Sequence, residues 1–142
     1  MLNYDQATEF NYMVQKWLGA LYEAGVAEST VSNIASGINY LATGDVTALN
    51  SNQQLSTLLN MAAARGGLSY AEMLTSGLNV DNVNILLGSI IDVLRDIADN
   101  TGDNVVKSAY RDILGINVSD LQAVSKMSID TLNTIKSTTL SY

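Results

Sequence analysis

Apolar residues recur every three or four positions along most of this chain, which is the spacing that places side chains on one face of an α-helix. The first such stretch runs from about Asp5 to Ala24, and Gly25 follows it as a left-handed C-terminal cap. Tyr12, Trp17 and Tyr22 could together form a stacking surface, but Trp17 lies on the apolar face. The spacing therefore predicts a first helix that buries Trp17 in the core.

The same spacing continues along the chain, with glycines and polar caps between the apolar stretches. The segment from Asp45 to Asn50 reads as a short turn, and the longest helical stretch runs from about Asp81 to Asp99. Three pairs have the spacing of a capping box at the start of a helix: Ser51 with Gln54, Ser69 with Glu72, and Ser119 with Gln122. The sequence predicts an all-α fold, with one domain over residues 1–142 that is a compact unit or bundle of about six or seven short helices.

Glu72 raises the question of acid–base catalysis, because Tyr70 lies close to it in the stretch LSYAEMLTSG. Its position three residues after Ser69 lets the Ser69 hydroxyl accept from the Glu72 amide while the Glu72 carboxylate accepts from the Ser69 amide. Leu68 and Met73 occupy the positions of a hydrophobic staple around this cap. Both patterns predict that Glu72 begins a helix, whereas catalysis would also require a partner acid or a raised pKa.

Composition narrows the chemistry open to the chain. It contains no Cys and no His, which excludes thiol and Ser-His-Asp catalysis and removes the commonest ligands of transition metals. It contains no Pro, and 47% of its residues are hydrophobic, as in folded rather than disordered proteins. Seven Lys and Arg against fourteen Asp and Glu give a net charge of −7, and the cations are scattered along the chain. We therefore expect no direct nucleic-acid binding.

No segment of the sequence has the features of a signal peptide or of a membrane-spanning helix. The stretch MLNYDQATEF contains two acids and lacks the basic and apolar regions of a signal peptide. The longest uncharged run, from Val46 to Ala64, is interrupted by polar residues and is not expected to span a membrane. We therefore expect a soluble protein.

The loop from Ala98 to Asn104 is the best candidate for a metal site, because Asp99 and Asp103 could supply the oxygen ligands that calcium prefers. It lacks the alternating acids and the closing Glu of an EF-hand, which favours a solvated turn that caps the next helix through Asp103 or Asn104. The sequence also contains neither a P-loop nor a G-x-G-x-x-G motif. We predict no catalytic, cofactor-binding or metal-binding residues and no cofactor.

The run from Val31 to Val124 resembles a segment of the tape-measure proteins of long-tailed bacteriophages. The phrases AAARGGLSYAEMLTSGLN and VVKSAYRDILGINVSDL carry most of this resemblance, which consists of helix-capping and packing positions. The family implies a virion component that occupies the tail lumen, sets tail length during assembly and is released at infection. Whole tape-measure proteins are much longer, so the resemblance implies a fragment, a processed piece or a small relative, to which the ruler function does not carry over.

We expect a non-enzymatic virion structural protein, located in the phage tail and, during assembly, in the host cytoplasm. It would act in tail assembly or genome delivery by packing against other tail proteins or copies of itself, as a homo-oligomer or part of a larger assembly. The alternative is a helical adaptor that binds another phage or host protein. A third hypothesis is a peptidoglycan-cleaving domain with Glu72 or Glu23 as the acid, which requires that carboxylate to lie in a cleft.

Overall fold

Nine α-helices and no strand make up the part of the chain that the structure describes. The computed structural model describes residues 2–100 and 104–137, with residues 100, 104–108, 135 and 136 described by their backbone alone. The helices are α1 (Tyr4–Glu23), α2 (Glu28–Thr43), α3 (Val46–Ser51), α4 (Gln53–Arg65), α5 (Tyr70–Ser76), α6 (Val80–Asn100), α7 (Asn104–Leu114), α8 (Val118–Ser125) and α9 (Ile129–Ser137). The predicted all-α fold is confirmed. None of these helices has both the length and the apolar character needed to cross a membrane.

α1 forms as its apolar spacing predicts. A capping box closes its N-terminus: the Gln6 amide donates to Asn3 Oδ1 at 2.9 Å, and the Asn3 amide donates to Gln6 Oε1 at 3.0 Å. Gly25 follows the helix with a φ of +105°, in the left-handed region that the predicted cap requires. Trp17 is 2% exposed, so its predicted core position is confirmed.

α4 and α6 lie at the centre of the fold. α6 packs against α4, α8 and α9, while α4 also contacts α2, α3, α5 and α7. Burial of one Leu or Ile side chain stabilises a fold by about 1.5 to 3 kcal/mol. The apolar side chains that α6 buries are Val83, Leu86, Leu87, Ile90, Ile91, Val93, Leu94, Ile97 and Ala98. Side chains from all nine helices join them in the same core.

α2 approaches α4 closely at Gly37. A Cβ atom at this position would lie 2.7 Å from Leu55 Cδ1 and 2.9 Å from Leu55 Cγ, and Leu55 is itself buried. The absence of a side chain at Gly37 therefore permits the contact between the two helices, although a glycine within a helix costs about 1 kcal/mol.

The helices outnumber the six or seven of the prediction because two segments fold differently from their patterns. The expected turn from Asp45 to Asn50 forms most of α3, because Asp45 Oδ1 accepts from the Ala48 amide at 3.0 Å and begins this helix. The expected last helix is divided into α8 and α9, because Ser128 Oγ accepts from the Thr131 amide at 3.1 Å and begins α9.

Two of the three predicted capping boxes are wrong. Ser51 is the last residue of α3, and α4 begins instead at Asn52, whose Oδ1 accepts a backbone N–H at 3.1 Å. α8 begins at Asn117 rather than at Ser119, and the Asp120 carboxylate accepts from the Asn117 amide at 3.2 Å. In both places a nearby Asn, which caps helices at least as well as Ser, takes the position.

Candidate functional site

Glu72 lies in the first turn of α5. Its amide donates to Ser69 Oγ at 3.2 Å, which is the first of the two hydrogen bonds of the predicted capping box. The second, from the Ser69 amide to the Glu72 carboxylate, is not among the contacts of the described residues, so half of the predicted box forms. The Tyr70 hydroxyl lies 3.2 Å from the hydroxyl of Ser56 on α4 and forms a hydrogen bond with it. Tyr70 therefore fastens α5 to α4, and the prediction that Glu72 begins a helix is confirmed.

The Glu72 carboxylate also lines an open groove between α5 and the start of α6, with a volume of about 280 Å³. Asp81 is a second carboxylate in the lining, and Asn79 and Asn82 add side-chain amides. The sequence patterns did not single out Asp81 as a neighbour of Glu72, because they describe each helix separately. The short turn at Gly77, where φ is +75°, joins α5 to α6 and was the one signal that the two acids line the same groove. Both acids are exposed, so the groove holds solvated carboxylates rather than an enclosed catalytic pair.

Glu23, the other candidate acid, lies at the end of α1 in a second groove of about 270 Å³. Lys126, which follows α8, lines the same groove. Among the described residues in this lining, Glu23 is the single acid and Lys126 the single base. Glycosidic cleavage generally uses two carboxyl groups that flank the bond, and the described residues supply one here.

Asp99, the described acid of the candidate metal loop, takes part in an ion pair. Its Oδ2 lies 3.0 Å from Arg95 Nε, and its Oδ1 accepts from the Ser125 hydroxyl at 3.4 Å. Asp103 lies outside the described residues. Over residues 2–100 and 104–137, no three His, Cys, Asp or Glu side chains come together as a metal-binding group. Asp99 therefore contributes a contact between α6 and α8.

Two further arginines lie beside aspartates. Arg65 Nε is 3.0 Å from Asp96 Oδ2, which links α4 to α6, and Arg111 Nε is 3.9 Å from Asp112 Oδ1. The hydrogen bond that Arg65 donates to Asp96 and, second, the negative charge of Asp96 raise the pKa of Arg65 above its usual value. Cations that already face carboxylates are less available to phosphate groups, and the lack of nucleic-acid binding stays a prediction.

Asp120 is a buried carboxylate that the sequence patterns did not single out. It is 2% exposed, and it accepts from the Ala27 amide at 2.8 Å, the Thr30 hydroxyl at 2.6 Å and the Asn117 amide at 3.2 Å. Because Ala27 precedes α2 and Asn117 precedes α8, one carboxylate lies at the N-termini of two helices, where the helix dipoles favour negative charge. Asp120 therefore joins α2 to α8, and its carboxylate is closed to a substrate.

The exposed tyrosines of the described residues all lie on the outer face of α1. Tyr4, Tyr12 and Tyr22 are 85%, 70% and 57% exposed. Lys16 Nζ lies 5.9 Å from the centre of the Tyr12 ring. Because Trp17 is on the opposite, buried face, the stacking surface considered from the sequence does not form. The outer face of α1 instead presents exposed aromatic rings, a side-chain type enriched at protein interfaces.

Comparison with known proteins finds no family model, curated protein or solved structure that matches the chain. The similarity to tape-measure segments thus stays an expectation from the sequence.

Proposed function

We propose that this chain is a non-enzymatic structural protein of a phage virion, a tape-measure-like tail component that acts by protein–protein packing in tail assembly or genome delivery. One contrast within the fold supports the proposal most. Helix faces from the whole described chain are used to build a core, whereas the acids that could have served catalysis lie solvated in open grooves. The described residues therefore favour a role in protein–protein packing over a role in catalysis.

The environments of the acids favour this role over peptidoglycan cleavage. A glycosidase needs two carboxyl groups on either side of the bond, one of them held protonated by an apolar pocket. Glu72 and Asp81 share a groove, but water reaches both of them. Glu23 shares its groove with a lysine. These surroundings are those of ordinary surface acids.

The charge of the chain suits a protein that shares a tail lumen with passing DNA. A lumen protein that bound phosphates would slow the passage of DNA, and a net charge of −7 gives weak repulsion instead. The pairing of Arg65 with Asp96 and of Arg95 with Asp99 further reduces the cationic surface.

Deletion of the coding sequence from the phage tests this proposal. We expect electron micrographs of purified particles to show missing or malformed tails, and a plasmid copy of the wild-type gene to restore normal tails. A copy that carries both Glu72→Gln and Glu23→Gln should restore them equally well, because Gln keeps the side-chain volume and the Glu72 cap is made by its amide.

Normal tails in the deletion strain would contradict a structural role. Failure of the double variant, with its helical circular dichroism spectrum unchanged, would instead support the peptidoglycan-cleaving hypothesis. The wild-type plasmid is the control for expression level.

A further inference from the structure

The groove between α5 and the start of α6 combines apolar side chains with acids. Leu68, Met73 and Ile85 contribute apolar groups to its lining, and Glu72 and Asp81 contribute carboxylates. Met73 is buried, whereas Ile85 is 42% exposed and the two acids are exposed as well. A concave surface with apolar side chains and a few polar groups is the usual form of a binding site. We call this surface the α5–α6 groove.

Ile85 is held in place by the end of α4. A Cβ atom at Gly66 would lie 2.5 Å from Ile85 Cγ2, so the absence of a side chain at Gly66 leaves room for Ile85 beside the end of α4. The β-branched side chain of Ile85 also has few rotamers. A side chain that is already ordered loses little conformational entropy when a partner covers it. Ile85 therefore offers a fixed apolar contact.

The outer face of α6 is open next to Ile85. Asp81, Ile85 and Gly88 follow one another at spacings of four and three, which places them on one face of α6. No atom lies within 4 Å of the position that a Cβ at Gly88 would take. The backbone of a partner helix can therefore come close to α6 beyond Ile85.

The acids of the α5–α6 groove have no cation beside them. The carboxylates of Glu72 and Asp81 form no ion pair or hydrogen bond with the side chains that the structure describes. Asp96, by contrast, lies 3.0 Å from Arg65. A cleft lined by charges of one sign attracts groups of the opposite sign. The groove therefore favours a partner that carries Lys or Arg.

Two other open grooves lack this combination of features. Glu23 shares its groove with Lys126, so opposite charges are already present there. The groove of about 270 Å³ between α1 and α2, which Asn11 and Ser36 line, has no charged residue in its described lining. Of the three, the α5–α6 groove is the one whose described lining has two acids and no base.

We propose that the α5–α6 groove binds a basic helix of another tail protein, with an apolar side chain of that helix on Ile85 and Lys or Arg side chains near Glu72 and Asp81. Amphipathic helices dock into apolar grooves in this way, and their residues at positions i, i+4 and i+7 share one face. The pairing rests on the proposed function and specifies the chemistry of the partner. A second copy of the chain does not fit, since its net charge is −7 and its arginines already lie beside aspartates.

A synthetic peptide serves as the probe of the groove. An alanine-rich peptide of about 16 residues, with Lys, Leu and Lys at positions i, i+4 and i+7, is long enough to form some helix in water. Added to the isotope-labelled protein, it should shift the NMR signals of amides around the groove, including those of Leu68, Met73 and Ile85. Because salt screens exposed charges, a rise to about 0.5 M NaCl should weaken binding several-fold.

A pair of charge variants tests the two acids. Glu72→Gln/Asp81→Asn should raise the dissociation constant of the peptide about fourfold, at about twofold for each exposed ion pair. Glu28→Gln/Asp130→Asn is the matched control, because it also removes two exposed acids from the first turns of two helices. The control should change the constant by less than about twofold. Equal weakening by the two variants would show that the peptide follows net charge, and would overturn the groove as its site.

A second pair of variants tests the apolar contact. Ile85→Thr keeps a β-branched side chain and should raise the constant about fourfold, as expected for the loss of about one buried methylene group. Ile113→Thr makes the same change at an isoleucine of α7 that is 50% exposed, and should leave the constant unchanged. A peptide with Gln in place of Leu should also bind the wild type more weakly. No loss from either change would overturn the contact with Ile85.

Two results of the NMR titration would overturn the proposal as a whole. One is the absence of shifts around the groove at a peptide concentration of several millimolar, with or without shifts elsewhere. The other is a groove that responds to calcium chloride but not to the peptide, which would assign the two carboxylates to a divalent cation instead.

The peptide and phage experiments can fail separately. Normal tails in the deletion strain would remove the structural role without any effect on peptide binding. Tails that require the chain, together with a groove that does not bind the peptide, would leave the structural role in place and remove the basic partner. The phage copy with Glu72→Gln and Glu23→Gln keeps Asp81 and Ile85, so its loss of about twofold in affinity is compatible with normal tails.

Discussion

Replacement of Asp120 by Ala should destabilise the fold far more than the loss of a surface acid does. The substitution removes the acceptor of three hydrogen bonds, from the Ala27 amide, the Thr30 hydroxyl and the Asn117 amide. Each buried donor left without an acceptor costs about 1 to 3 kcal/mol. The Thr30 hydroxyl can rotate to another acceptor, and water can reach the two part-buried amides, so the lower half of the range applies to each. We expect a total loss of about 3 to 6 kcal/mol.

Two control variants separate the buried network from simple helix capping. Asp120→Asn keeps one carbonyl oxygen and should cost about 1 to 2 kcal/mol. Asp45→Ala removes an exposed cap that accepts one backbone N–H at 3.0 Å, and should cost about 1 kcal/mol. The expected order of destabilisation is therefore Asp120→Ala first, followed by the two milder variants.

Urea denaturation followed by circular dichroism measures these differences as changes in the free energy of unfolding. A domain of this size has a total stability of about 5 to 15 kcal/mol, so the Asp120→Ala midpoint should move well outside experimental error. A loss for Asp120→Ala no larger than that for Asp45→Ala would refute the reasoning. It would mean that water can replace the three hydrogen bonds of the Asp120 carboxylate without a loss of stability.

Four further outcomes follow from the fold. Leu87→Ala should lower the free energy of unfolding by about 2 to 5 kcal/mol in urea, because Leu87 is buried; an unchanged midpoint would mean that this face of α6 is open to solvent. Glu72→Gln should leave the melting temperature unchanged, and a marked fall would show that its carboxylate supports the helix. Gly19→Ala should stabilise the dilute monomer by about 1 kcal/mol, and a loss of stability would reveal a hidden contact. Duplex DNA should show no binding tighter than about 10⁻⁴ M at physiological salt in fluorescence anisotropy, whereas micromolar, salt-sensitive binding would contradict the charge argument.

Long periodic stretches of the sequence were sufficient to predict the main helices. α1 and α6 repeat apolar residues over five turns or more, and burial of one face follows directly from that repetition. Trp17 lies on the repeated face of α1, so its burial could be predicted without knowledge of its neighbours.

Helix starts were less predictable where two capping residues compete. Ser51 and Asn52 are adjacent and both can cap, but α3 extends through Ser51 and leaves Asn52 to begin α4. The pattern of Ser51 with Gln54 contains no information about the preceding helix. The position of that cap therefore depends on whether the segment before it is a turn or a helix.

Asp120 could not be predicted from local patterns at all. Its partners Thr30 and Ala27 lie 90 and 93 residues away in the sequence, so only the tertiary fold, which places the start of α8 beside the start of α2, brings them together. The exposed tyrosines of α1, Tyr4, Tyr12 and Tyr22, are an intermediate case. The tyrosines share an arc as soon as α1 is assigned, but their exposure depends on which helices leave that arc uncovered.

Peptide mass spectrometry of purified phage particles tests the structural role most directly. If the chain is a tail component, its peptides should appear in intact particles at a constant ratio to the other tail proteins, through successive rounds of purification. Peptides that are abundant in infected cells but absent from purified particles would contradict a place for this chain in the virion.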